Sequence, residues 1–186
     1  MRLRSEQHDV VSVVAESCRP KVYIHKIFWQ EIMFDQDEDD FYMAVAIKEA
    51  QKAAEIDEVP VGAVIVHQGK IIARAHNQVE MLKDPTAHAE MIAITQATSF
   101  LENKWLSDCS LYVTIEPCSM CAGALVLARI EHLIYGAQDP KTGACGSVSN
   151  IADNEKLNHR IKIRSGVLAE QCGYLLSEFF GKKRKK

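Results

Sequence analysis

The chain has 186 residues, 47% of them hydrophobic and 25% charged. That suits one globular domain, or one domain with an appendage, and excludes collagen-like and low-complexity architectures. The formal net charge is −3, which as a bulk number argues against a nucleic-acid binder with a broad basic footprint. The longest apolar stretches, such as residues 122–128, fall short of the ~20 residues a membrane span needs. The apolar run at residues 10–15 is short and flanked by Asp9 and Glu16, which argues against a secretory signal and for a cytoplasmic protein.

Charge divides the chain into three parts. Residues 1–40 hold five Lys/Arg against nine Asp/Glu, residues 41–181 hold twelve against sixteen, and residues 182–186 read Lys-Lys-Arg-Lys-Lys. The acidic cluster Asp35, Asp37, Glu38, Asp39 and Asp40 marks a boundary. We therefore expect an N-terminal extension over residues 1–36, a main domain over 37–181 and a basic tail over 182–186. Tyr23, Phe28, Trp29 and Phe34 in the extension suit a packing element, and its role is open.

In chain order, apolar residues at Phe41, Val45, Ile47 and Ala50 predict an amphipathic helix over residues 41–55, its start favoured by the acidic cluster. Pro60 ends it. Residues 61–67 read as a buried strand, Gln68-Gly69 as a turn and residues 70–75 as the hairpin partner. Asp84-Pro85 predicts a helix over residues 86–100, with Asp84 as N-cap. A strand at 111–115 leads through Pro117 to a helix at 119–128. A strand at 132–135 ended by Gly136, a loop rich in small residues at 139–149, a strand at 161–164 and a helix at 169–180 complete the chain. This alternation predicts an α/β domain with a mixed sheet.

Two fragments carry chemistry. His88-Ala89-Glu90 lies in the first turns of the second helix, and Pro117-Cys118-Ser119-Met120-Cys121 lies where the third begins. Two cysteines three apart at a helix start can point to one side, and a histidine from a neighbouring helix makes a three-ligand zinc site with a fourth position open for water. Helix N-termini favour thiolate over thiol. Glu90 is not needed as a ligand and can move protons between water and a substrate. A lone C-x-x-C is also compatible with a redox pair or buried thiols, and a lone H-x-E says little. Together and in this order they form the signature of zinc-dependent deaminases. Cys18, Cys109, Cys145 and Cys172 read as small buried hydrophobes, and the other histidines as surface or satisfied core residues.

Over residues 41–180 the chain closely resembles bacterial tRNA-specific adenosine deaminases, of the zinc-dependent cytidine/deoxycytidylate deaminase superfamily. The resemblance rests on Glu58-Val59-Pro60-Val61-Gly62-Ala63, Asp84-Pro85-Thr86-Ala87-His88-Ala89-Glu90, Glu116-Pro117-Cys118, Met120-Cys121-Ala122-Gly123-Ala124 and Lys141-Thr142-Gly143-Ala144. It implies a cytidine-deaminase-like three-layer α/β/α fold with a five-stranded mixed sheet. It also implies one Zn2+ per subunit on His88, Cys118 and Cys121, Glu90 as proton shuttle, and a homodimer acting on the anticodon loop of tRNA, arginine tRNA in particular. The implied reaction turns the wobble adenosine, position 34, into inosine and releases ammonia; a small-molecule deaminase of the guanine or cytosine type is the alternative, and a structural zinc module a third.

Substrate contacts stay paired with plainer readings. Asn77 matches a base-contacting position and equally suits capping the turn after the hairpin. Val59, Pro60 and Val61 suit a pocket wall or a strand entry. Asp139 matches an acidic position near the target nucleotide, in a sequence that also favours a turn. Phe180 suits either stacking on a loop base or the core, whereas Phe179 reads as core. Residues 182–186 fit phosphate contact or a solvated tail.

Overall fold

In the computed structural model the backbone is described over residues 22–184 and the side chains over residues 37–184. Contacts divide the chain into two units, Met1–Asp35 and Gln36–Lys186. The sheet and the cores on its two faces belong to the second unit. The expectations for Cys18, His8, His25 and the four aromatic residues of the extension fall outside the described side chains.

The elements are α1 (Val22–Glu55), β1 (Gly62–His67), β2 (Lys70–His76), α2 (Val79–Leu82), α3 (Ala89–Phe100), β3 (Cys109–Ile115), α4 (Ser119–Leu127), β4 (His132–Ala137), β5 (Lys162–Ser165) and α5 (Ala169–Lys183). The five strands form one sheet in the order β2-β1-β3-β4-β5. β1 pairs antiparallel with β2 and β3. β3, β4 and β5 run parallel. The sheet is therefore mixed, as expected.

Strand alternation makes two cores. Ala63, Ile65, Leu111, Val113, Leu133 and Tyr135 face one way and pack with Ala89, Ala93 and Ala97 of α3 and Ala122, Leu125 and Val126 of α4. Val64, Val66, Tyr112 and Ile134 face the other way and pack with Tyr42, Met43, Ala46 and Ile47 of α1 and Cys172 of α5. Both faces are covered, which gives the three-layer α/β/α arrangement and explains why the strands read as continuous apolar runs. The alanines of α3 let that helix lie close on the sheet.

Several boundaries differ from the sequence reading, each for a local reason. α1 does not start at Phe41 but runs through the acidic cluster. Asp37, Glu38 and Asp40 are exposed, and Asp39 is buried, accepting hydrogen bonds from the Tyr112 hydroxyl at 2.8 Å and from Arg164. α3 starts at Ala89, not Thr86. Asp84 caps a turn instead, accepting from the Thr86 backbone N–H at 2.8 Å and its hydroxyl at 2.7 Å. The short helix α2 has no counterpart in the sequence reading. Gly136 does not end β4 but lies inside it, where a Cβ would meet the Cys172 side chain and the Thr114 carbonyl oxygen at 2.9 Å. A side chain there would push α5 off the sheet. α5 itself continues past Phe180 to Lys183, so the basic tail begins as the last turn of a helix. No helix among the described residues is long and apolar enough to cross a membrane.

Candidate active site

The two sequence fragments meet where the N-termini of α3 and α4 come together. His88 is the N-cap of α3 and Cys118 the N-cap of α4, both with extended backbone and neither making a side-chain capping bond. Their side chains turn toward each other instead, and Cys121 joins them one turn into α4. His88 Nδ1 lies 3.8 Å from Cys118 Sγ and 3.5 Å from Cys121 Sγ. All three ligand atoms lie within 4.8 Å of one another.

This set fits a metal ion. Metal–ligand bonds of ~2.0 Å to nitrogen and ~2.3 Å to sulfur in a tetrahedron put ligand atoms about 3.5–3.8 Å apart, matching the two measured separations. A soft thiolate pair with one imidazole is the donor set zinc prefers. Hydrogen bonds from Cys121 and His88 push the Cys118 thiol well below its ordinary value, which favours the thiolate that a metal ion needs as ligand. The same contact with Cys118 raises Cys121. Among the described residues only three side chains converge, which leaves room for a non-protein ligand.

Glu90, in the first turn of α3, is 2% exposed. Its Oε2 is the one buried side-chain oxygen or nitrogen without a hydrogen-bond partner among the described residues. Burial raises its pKa. An unpartnered buried carboxyl oxygen is costly, and this one belongs to a residue that lines a cleft together with His88 and Cys118.

The cleft is about 690 Å³ and is lined by His88, Glu90 and Cys118 at its base, with Val59, Val61 and Phe180 among its walls. That volume lies within the range of small-ligand sites.

The MafB19-like deaminase family model matches residues 37–184. The tRNA-specific adenosine deaminase of Bacillus subtilis (strain 168) is 52% identical over 80% of this chain and 92% of its own length. That of Aquifex aeolicus (strain VF5) is 55% identical over 78% and 95%. The chain belongs to the tRNA-specific adenosine deaminase family. A structure solved in studies of A-to-I editing by tRNA:A34 deaminases at the wobble position of transfer RNA agrees in fold, with a TM-score of 0.71 and 43% identity over 73% of this chain and 99% of that one. The cytidine-deaminase-like fold is thereby shown for this family member.

The structure also sorts the substrate-contact candidates. Asn77, at the end of β2, is buried and lines the cleft. Val59 and Val61 line it too, whereas Pro60 is buried outside the lining. Phe179 is 8% exposed and packs inward, while Phe180 is 46% exposed and lines the cleft. Asp139 lines the cleft as well, but its carboxylate serves its own loop. It accepts from the backbone N–H of Lys141 at 2.9 Å and of Thr142 at 3.3 Å, and from the Thr142 hydroxyl.

Sequence reasoning missed two buried carboxylates in the lining of the cleft. Glu116 is 2% exposed and accepts from the backbone N–H of Asp139 at 3.1 Å, Cys145 at 2.9 Å and Ser147 at 3.0 Å, and from the Ser147 hydroxyl. It ties the loop after β4 to the segment that delivers Cys118. Gly143 lies so close that a Cβ would meet the Asp139 carbonyl oxygen and the Glu116 carboxylate, each at 2.5 Å. Glu58 is the other, held against Asn77. Both lie in the stretches that carry the family resemblance, yet a glutamate in a strand-flanking segment gives no sign of burial.

The remaining thiols among the described residues, Cys109, Cys145 and Cys172, are buried. Burial pushes Cys145 up to about 12 and Cys109 and Cys172 up to about 11. At the tail, Lys182 pairs with Glu178 at 2.8 Å and Lys183 with Asp57 at 3.3 Å, whereas Arg184 lines the cleft.

Proposed function

We propose that this chain is a zinc-dependent tRNA adenosine deaminase that converts the wobble adenosine of an anticodon loop, arginine tRNA in particular, to inosine. The observation that carries the reading is the meeting of His88, Cys118 and Cys121 at two helix starts beside the unpartnered Glu90 carboxyl. His88, Cys118 and Cys121 would hold one zinc ion, which supplies Lewis-acid activation of water.

The chain's own residues supply the rest. The reaction adds water oxygen to C6 of adenine, breaks the C6–N6 bond and releases ammonia. Glu90 accepts one proton from the attacking water and delivers it to N1, then takes the second from the resulting C6 hydroxyl and delivers it to the amine, which leaves as ammonia as the C6 carbonyl forms. Its raised pKa suits a group that must both take and give a proton near neutrality. Val59 and Val61 offer apolar surface to the base, and Asn77 offers an amide to its edge.

The substrate base is unpaired in the anticodon loop, so turning it into the cleft costs less than opening a duplex. Recognition then rests on a shaped cleft with local charge, Lys141 and Arg184 at its rim, not on a broad basic face. Phe180 is the stacking surface for a loop base. Action as a homodimer in the cytoplasm completes the reading, with the exposed Phe100 and Leu127 as apolar surface for a second copy.

The test is direct. Zinc-loaded protein is incubated with an arginine-tRNA anticodon stem-loop and, in parallel, with free adenosine, guanine and cytosine. Inosine at the wobble position, with little turnover of the free compounds, is expected. Turnover of a free base without inosine in the stem-loop would reassign the enzyme to small molecules.

A further inference from the structure

Glu58 is 1% exposed, yet it borders the cleft. Both of its carboxylate oxygens are engaged. Asn77 Nδ2 donates to Oε2 at 3.1 Å, and the Met81 backbone N–H donates to Oε1 at 2.7 Å. Its own backbone N–H donates to the Ala53 carbonyl at 3.0 Å, anchoring it at the end of α1, and the Asn77 backbone N–H donates to the Val61 carbonyl at 3.0 Å. The two side chains therefore meet between fixed backbones.

We infer that Glu58 is the positioning residue that fixes which way round the Asn77 amide meets a bound base. This rests on the proposed function, in which Asn77 reads the base edge. An asparagine amide is nearly symmetric in shape but not in chemistry: one end accepts and the other donates. Rotating it by half a turn exchanges the two at little steric cost. A carboxylate has only acceptors, so the amide nitrogen must face Glu58. One Nδ2 hydrogen is used there. The second hydrogen and Oδ1 are left for a ligand, in one order. A site that presents donor and acceptor in a fixed order rejects bases whose edge carries the reverse pattern, since mismatched buried polar groups go unpaired.

The second oxygen of Glu58 extends the same control to the wall. α2 begins at Gln78, which makes no side-chain capping bond. Glu58 provides the acceptor that the first turn otherwise lacks, at the Met81 N–H. α2 carries Val79 and Glu80 into the cleft lining. One acceptor-only group thus sets both the amide that faces the base and the turn beside it. Glutamine in its place has one acceptor and one donor, so it cannot serve both N–H groups. It keeps one by abandoning the other, or it turns the Asn77 amide over.

The experiment is a double-mutant cycle on the full chain: wild type, Glu58→Gln, Asn77→Ala and the pair. Inosine formation in an anticodon stem-loop gives kcat and KM, and thermal melting is followed alongside. Glu58→Gln is expected to lower kcat/KM about tenfold or more. In the Asn77→Ala background the same change is expected to cost less than about twofold, because the residue it positions is gone. A carboxylate with a merely structural role would give the same loss in both backgrounds, and that result, or no loss in Glu58→Gln alone, overturns the inference. Glu58→Asp keeps an acceptor-only group with shorter reach. It is expected to fall between wild type and Glu58→Gln with the same dependence on Asn77, and it carries the cycle if Glu58→Gln does not fold. Wild-type protein that makes no inosine overturns the proposed function and this inference with it. Wild-type turnover with additive losses overturns this inference alone.

Discussion

Glu90 and Glu116 border the same cleft, and each is 2% exposed. They differ in what surrounds the carboxylate. Glu90 has an oxygen with no partner and a raised pKa, because burial disfavours its charge by more than its own backbone N–H, His88 and Cys121 favour it. Glu116 is buried too, and burial alone pushes its pKa up. Hydrogen bonds from Ser147, Cys145 and Asp139 outweigh that and hold it below the usual 4.5. The first is a group left ready for a proton. The second is a charged strut on which a loop is hung. Solvent exposure does not separate them; Glu90 lies deeper in the protein, and Glu116 has more donors around its carboxylate.

Removing each carboxylate sharpens the contrast. Glu90→Gln keeps the shape and loses the titrating group. Turnover is expected to fall by about 10²–10⁴-fold, while zinc content and melting temperature stay close to wild type. Undiminished turnover would remove Glu90 from the proton path. Glu116→Gln sets an amide donor against backbone N–H groups. It is expected to lose about 2–3 kcal/mol of stability in urea unfolding at neutral pH. Wild-type stability there would show that the loop holds itself.

The pH dependence of that loss has a definite sign. The folded pKa of Glu116 is lowered, so its contribution is present above its unfolded value of about 4.5 and fades as pH falls through the lower folded value. The stability gap between wild type and Glu116→Gln is expected to be flat from neutrality to about pH 5 and to close below it. A gap that widened in acid would contradict the strut assignment.

The two adjacent phenylalanines give a smaller version of the same contrast. Phe179→Ala is expected to cost about 3 kcal/mol of stability, as a packed aromatic lost from the interior. Phe180→Ala is expected to leave unfolding nearly unchanged and to weaken stem-loop binding by about 1–3 kcal/mol, as a stacking face lost from the cleft. Equal effects of the two on stability would return Phe180 to a packing role.

Much of the molecule is legible in its residues alone. The metal-binding cluster is, because His88, Cys118 and Cys121 are chemically unusual residues at helix starts, and helix starts can be read from proline and periodicity. The sheet is, because its strands are buried on both faces. The starts of α1 and α3 are not. Asp39 becomes a core residue only through Tyr112 and Arg164, and Asp84 uses its carboxylate on Thr86 instead of on the helix. Pro60 drops out of the expected wall while Val59 and Val61 stay in it, since neighbouring residues point to different sides and the sequence carries no sign of which.

The sequence by itself pointed to the chemistry: one imidazole, two thiols and one carboxyl, in the order that zinc-dependent deaminases use. Local spacing is enough for that, because each fragment is short and tied to its own helix. The tertiary structure alone decided which glutamate is free and which is bound. It also decided that Asn77 is held by Glu58, and that Phe180 faces the cleft while Phe179 does not. These depend on donors from residues 19 to 31 positions away, and such partners exist only once the chain has closed on itself.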